Sequence, residues 1–105
     1  MKKLFVSQPM RDKSKKEIKL HRNIALINTI RKTGENIQLI NSWINQDPPE
    51  SVKNAGLWYL GKSLITLAKA DIVYFCKGWQ DYRGCKCEYT AALEYGLEII
   101  MEEYL

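Results

Sequence analysis

Lys3-Leu4-Phe5-Val6 is a short apolar run that ends at Ser7-Gln8-Pro9. It predicts a buried strand closed by proline, which lacks the donor that a ladder needs. Ser14 and Glu17 then have capping-box spacing, a hydroxyl at the cap and a carboxylate three residues on. Leu20, Ile24, Ile27 and Arg31 follow at spacings of four, three and four, with Ile30 beside them. This predicts an amphipathic helix that buries Leu20, Ile24 and Ile27. Arg31 and Lys32 suit its last turn, and Gly34 suits the position just past its end.

Asn36-Ile37-Gln38-Leu39-Ile40 alternates as a second strand does, and residues 41–51 read as a loop. Leu57, Leu60, Leu64 and Leu67 predict a second helix within Ser51 to Ala70. Gly56 and Gly61 weaken its first half, so a start near Gly61 is expected. Asp71-Ile72-Val73-Tyr74-Phe75 is the clearest strand, β-branched and aromatic without a breaker. After a loop over residues 77–84, Cys85 to Gly96 reads as a helix. Leu97 to Met101 is a fourth strand or that helix's end. Alternation of strand and helix predicts an α/β fold, a parallel sheet of about four strands with right-handed crossovers. In such sheets ligands bind beyond the carboxyl ends of the strands. That rule brings Ser7 to Arg11 and Cys76 to Glu88 to one rim.

At 105 residues the chain fits one domain, and 46% apolar with 27% charged residues is ordinary globular composition. No apolar run approaches the ~20 residues of a membrane span, and the apolar part of the N-terminus is too short for a secretory signal. A cytoplasmic protein without a membrane partner is expected. Cys76, Cys85 and Cys87 are too few for a disulfide framework and fit a reducing compartment. Residues 1–34 carry ten Lys or Arg against two Asp or Glu, and the remainder carries six against ten. A basic first third attracts nucleic acid or a phosphate-bearing small molecule, or is a solvated helix face. No nucleic-acid docking motif accompanies it, so nucleic acid ranks last among the partners.

Glu88 carries the sharpest chemical signal. On the helix that follows Gly84 it falls inside the apolar arc, between Ala92 and Tyr95, about one turn from the start. A carboxylate there is a nucleophile, a general acid or base, a ligand for hydroxyls, or a structural cap on backbone N–H groups. Asp81 shares its loop with Trp79 and Tyr82, whose rings can stack on a planar base or close the core. Ser7, Gln8, Met10 and Arg11 offer a hydroxyl, an amide, backbone N–H groups and a guanidinium to phosphate or ribose. Asp71 opens a strand at the opposite end from this rim. Neither a P-loop nor G-x-G-x-x-G occurs. Metal binding is not expected, because Cys85 and Cys87 diverge on a helix and His21 is distant. Cys85 near a helix start is a candidate thiolate, but no base accompanies it.

Several segments together resemble the nucleoside 2-deoxyribosyltransferase-like superfamily, and within it a short bacterial and phage branch. They are Phe5 to Met10, Ala68 to Phe75, Gly78-Trp79, Gly84 to Ala92 and Tyr95 to Ile100. The resemblance implies a flavodoxin-like or Rossmann-like three-layer fold with helices on both faces. It implies that Glu88 attacks the anomeric carbon while the base leaves, and that Asp81 handles the base or a sugar hydroxyl. It assigns Ser7, Gln8 and Met10, with Arg11, to sugar or 5′-phosphate, and gives Asp71 and Trp79 supporting places at the substrate. No cofactor is implied. A homodimer or higher homo-oligomer is, with a nucleoside or nucleoside 5′-monophosphate as the small-molecule partner. A non-catalytic nucleotide-binding module on the same fold is the alternative.

Overall fold

The computed structural model describes residues 1–105. In chain order the elements are β1 (Lys2–Ser7), α1 (Lys15–Thr33), β2 (Ile37–Leu39), α2 (Ala55–Leu67), β3 (Ile72–Phe75), α3 (Arg83–Glu94) and β4 (Glu98–Met101). Short 3-10 turns cover Trp79–Asp81 and Glu102–Tyr104. All neighbouring strands pair in parallel, in the order β2-β1-β3-β4. The fold is α/β, with a Rossmann-like three-layer arrangement. No helix is long and apolar enough to cross a membrane.

Strand periodicity splits the core into two layers. Leu4, Val6, Ile72 and Tyr74 face α1 and pack with its Ala25. Phe5, Val73 and Phe75 face the other way, toward Leu67 of α2 and Ala92 of α3. The hand of β1 therefore sends Ser7 to the α3 side. The strand order reverses between β1 and β3, so their carboxyl ends flank the switch point where the following loops diverge.

Local signals set the helix ends. Ser14 Oγ accepts the Glu17 N–H at 3.1 Å, and Gly34 closes α1 at φ 68° with its N–H on the Ile30 carbonyl. α2 begins six residues before Gly61, because Asn54 Oδ1 accepts the Leu57 N–H at 2.9 Å. That cap offsets the ~1 kcal/mol each glycine costs in a helix. Leu97 leads into a true fourth strand, paired along Ile72–Phe75.

The rotation of α1 differs from the expected one. Ile18, Ala25 and Thr29 are buried, while Leu20, Ile24, Ile27 and Ile30 are 39–55% exposed. The cause lies in close packing and polar anchors. Small residues at 25 and 29 let the helix approach the sheet. The Gln8 side-chain N–H donates to the Ile18 carbonyl at 3.2 Å, and Asn28 Nδ2 donates to the Tyr74 hydroxyl at 2.9 Å. Apolar spacing alone does not register these anchors.

Candidate functional site

The loops after β1 and β2, one face of α2 and the start of α3 border an open cavity of about 500 Å³. Glu88 lines it and is only 7% exposed. The α3 turn after Arg83 directs this side chain inward, beside Cys85 and Ala92 on the buried face. Ser7, at the last position of β1, donates its hydroxyl to Glu88 Oε1 at 2.7 Å. Burial raises the Glu88 pKa, and the Ser7 hydroxyl opposes that rise. The Ser63 hydroxyl, approaching from α2, acts in the same sense as Ser7. The result is a buried carboxylate without a cationic partner, held by hydroxyl groups.

Gln8, Met10 and Arg11 line the same cavity, as the loop's position after β1 predicts. Their availability differs. The Gln8 amide is engaged at both ends, donating to Ile18 O and accepting from Arg22 Nε at 3.2 Å. It braces the loop against α1. Met10 is 45% exposed at the mouth. The Arg11 guanidinium lies 5.5 Å from the centre of the Tyr82 ring, another lining residue. It is exposed and free of salt bridges, so it can meet an anion there.

Ser7, expected at the sugar or phosphate, is 1% exposed and outside the lining, so it meets the cavity only through Glu88. Three further candidates do not reach the cavity. Asp71 sits at the amino end of β3, where its Oδ2 accepts the Lys3 N–H at 2.8 Å. Its own N–H donates to the Lys3 carbonyl at 2.9 Å, so it fastens β3 to β1 at the amino end of the sheet's central strands. Asp81 is exposed at the end of the 3-10 turn, and the cavity lining from this stretch is Tyr82 and Arg83 instead. The turn reverses the chain before α3 and leaves Asp81 outside. Trp79 is 8% exposed and stacks on Tyr89 at 4.7 Å between centroids. It packs with Phe75 and Cys85 as part of the core, and its indole N–H has no acceptor.

Cys85 is not an activated thiolate. Burial pushes its thiol up to about 11, against a lowering contribution from Ser7. All three cysteines are free, and no three His, Cys, Asp or Glu side chains cluster as a metal site.

Four contributors escape the sequence patterns: Trp43, Tyr59, Ser63 and Arg83. Ser63 follows Tyr59 by one helical turn on α2, and Gly56 precedes Tyr59 by about another. A small and polar stripe on an otherwise apolar helix is the signal that could have found them. A Cβ at Gly56 would meet Arg83 Nη2 at 3.2 Å, so glycine there lets the guanidinium lie close to α2. Trp43 gives no such signal, because its place depends on the path of an irregular loop.

Comparison of the chain with family models, with curated proteins and with solved structures finds no match.

Proposed function

We propose that this chain acts at the N-glycosidic bond of a nucleoside or nucleoside 5′-monophosphate, in the manner of the nucleoside 2-deoxyribosyltransferase-like superfamily that its sequence resembles. One observation carries the reading: Glu88 is buried, unpaired by any cation, and turned into a cavity at the switch point of the sheet. A carboxylate in that setting is costly to stability, which is typical of a group kept for chemistry.

In the proposed reaction, a Glu88 oxygen attacks the anomeric carbon and forms a glycosyl ester. The bond to the base breaks, and the base leaves with its electron pair and takes a proton from solvent, which the incoming water or base returns when it is deprotonated in the second step. Water or a second base then displaces Glu88 from the sugar, releasing the carboxylate. Ser7 holds the attacking carboxylate in place, and Arg11 with Met10 faces the sugar or its phosphate at the mouth. The three free thiols suit a reducing, cytoplasmic setting. A homo-oligomer belongs to the same reading, supported by the uncovered apolar stripe on α1.

A specific observation favours the non-catalytic alternative. Glu88 is the one carboxyl group in the cavity lining, so no second acid stands ready to protonate the departing base. A nucleotide-binding module would keep the cavity without turnover. Incubation with a panel of nucleosides and nucleotides, with chromatography for free base, separates the two. Base release supports the glycosidic reaction; tight binding without release supports the module.

A further inference from the structure

A second cavity adjoins the one that holds Glu88. It measures about 490 Å³ and opens between the first half of α1 and the loop that follows β2. All of its charged lining is positive: Lys15, Lys19 and Arg22. Asparagines 23, 41 and 45 supply further polar groups to the wall. None of the three cations takes part in a salt bridge, since both ion pairs of the chain belong to Lys2.

Two of these cations, Lys15 and Arg22, rest against Trp43. Lys15 Nζ lies 5.1 Å and the Arg22 guanidinium 6.0 Å from the centre of the Trp43 ring. Arg22 also donates its Nε to Gln8 Oε1 at 3.2 Å. An aromatic face and a neutral amide are weak compensation for a half-buried cation. Burial accordingly pulls the Arg22 pKa below its ordinary value. A bound anion would supply the missing counter-charge. The guanidinium offers a planar pair of donors and the lysines offer point charges, the combination that suits phosphate oxygens.

The two cavities are structurally joined. Trp43 lines both. Gln8 lines the Glu88 cavity and accepts from Arg22 in the basic one. Both open at the carboxyl rim, where the chain leaves β1 and β2. A nucleoside in the first cavity would leave the second unused, and a single 5′-phosphate has Arg11 nearby.

We propose that the groove of Lys15, Lys19 and Arg22 is a polyphosphate subsite, and that the ligand is a nucleoside bearing more than one phosphate, either a 5′-triphosphate or a pyrophosphate-bridged dinucleotide. The sugar half of this ligand rests on the proposed function; the phosphate half rests on the groove alone.

Isothermal titration calorimetry of the intact protein with inorganic triphosphate tests the groove. One saturable site is expected, with affinity that falls as salt rises. The exposed pair Lys15→Gln/Lys19→Gln should weaken it by about tenfold or more, from loss of two direct charges. Asp81→Asn, exposed and outside both cavities, should leave it unchanged. Absence of saturable binding overturns the proposal, as does equal binding by the double variant or a preference for a long oligonucleotide. Titration with a nucleoside, its triphosphate and a pyrophosphate-bridged dinucleotide then identifies the source of the phosphates. Equal affinity for the nucleoside and both phosphorylated forms also overturns it. Triphosphate binding without base release from any nucleotide keeps the groove and discards the glycosidic reaction. Base release with identical KM for phosphorylated substrates in wild type and double variant does the reverse.

Discussion

Ser7 and Glu88 stand 81 positions apart in the chain, yet the hydroxyl of one donates to the carboxylate of the other at 2.7 Å. The contact exists because β1 ends beside β3 at the switch point and α3 starts just above both. Each partner is almost fully shielded from solvent, Ser7 at 1% and Glu88 at 7% exposure. In such surroundings a hydrogen bond to a charged group is worth more than at the surface.

Ser7→Ala should therefore act on the carboxylate rather than on the fold. Removing the hydroxyl takes away a group that opposes the burial-driven rise in the Glu88 pKa. The acid limb of any pH–rate profile should move to higher pH, and turnover should fall by about tenfold or more, on the ~1.5–3 kcal/mol of a charge-assisted bond. A profile measured from pH 4 to 8 checks this. An unmoved acid limb would separate Ser7 from the ionisation of Glu88.

The stability of the protein should depend on Glu88 with a definite sign. Its pKa is raised in the folded state, so folding is helped while the group is protonated. That help is complete below the unfolded value and is lost as pH rises through the folded one. Neutral pH thus leaves a buried charge at a cost, and Glu88→Gln should raise the melting temperature there. Below the ordinary carboxyl range the two proteins should melt alike. Thermal denaturation at acid and neutral pH measures the difference, and a lower melting temperature of the variant at neutral pH would contradict it.

Asp71 and Asp81 should prove separable from the site. Asp71→Ala loses a carboxylate that accepts a backbone N–H, and should cost about 1–2 kcal/mol of stability with ligand binding intact. Asp81→Asn, in an exposed turn, should change stability by less than about 0.5 kcal/mol. Urea denaturation and calorimetry with ligand report both. Loss of ligand binding in a folded Asp81→Asn protein would return that residue to the site.

The stripe of Leu20, Ile24, Ile27 and Ile30 is exposed on α1. Sedimentation velocity should show a dimer or larger assembly that Ile24→Lys/Ile27→Lys converts to monomer. A wild-type monomer at high concentration would leave the stripe without a partner copy.

Much of this architecture is legible in local residue order. Ser14 with Glu17, Gly34, and the unbroken run of residues 72–75 mark real caps and a real strand. Glu88 is legible because a carboxylate within an apolar arc is conspicuous. The face of α1 is not, since Leu20 and Ile24 advertise burial as strongly as Ile18 and Ala25 do. The deciding anchors, Gln8 on Ile18 and Asn28 on Tyr74, join positions far apart or in different elements. Asp81 and Trp79 fail to reach the cavity for a related reason. Their loop contains the proposed chemistry by proximity in sequence, but a 3-10 turn directs one outward and the other into the core. Trp43 enters the cavity along the path of an irregular loop, which spacing does not encode.

The most direct measurement is base release by wild type and Glu88→Gln, followed by chromatography over a panel of nucleosides and nucleotides. The account predicts free base from at least one substrate with the wild-type protein, and a loss of about a thousandfold or more in a variant that stays folded, as removal of a nucleophile entails. Release at the wild-type rate by Glu88→Gln, or none from any substrate by the wild type, would contradict it.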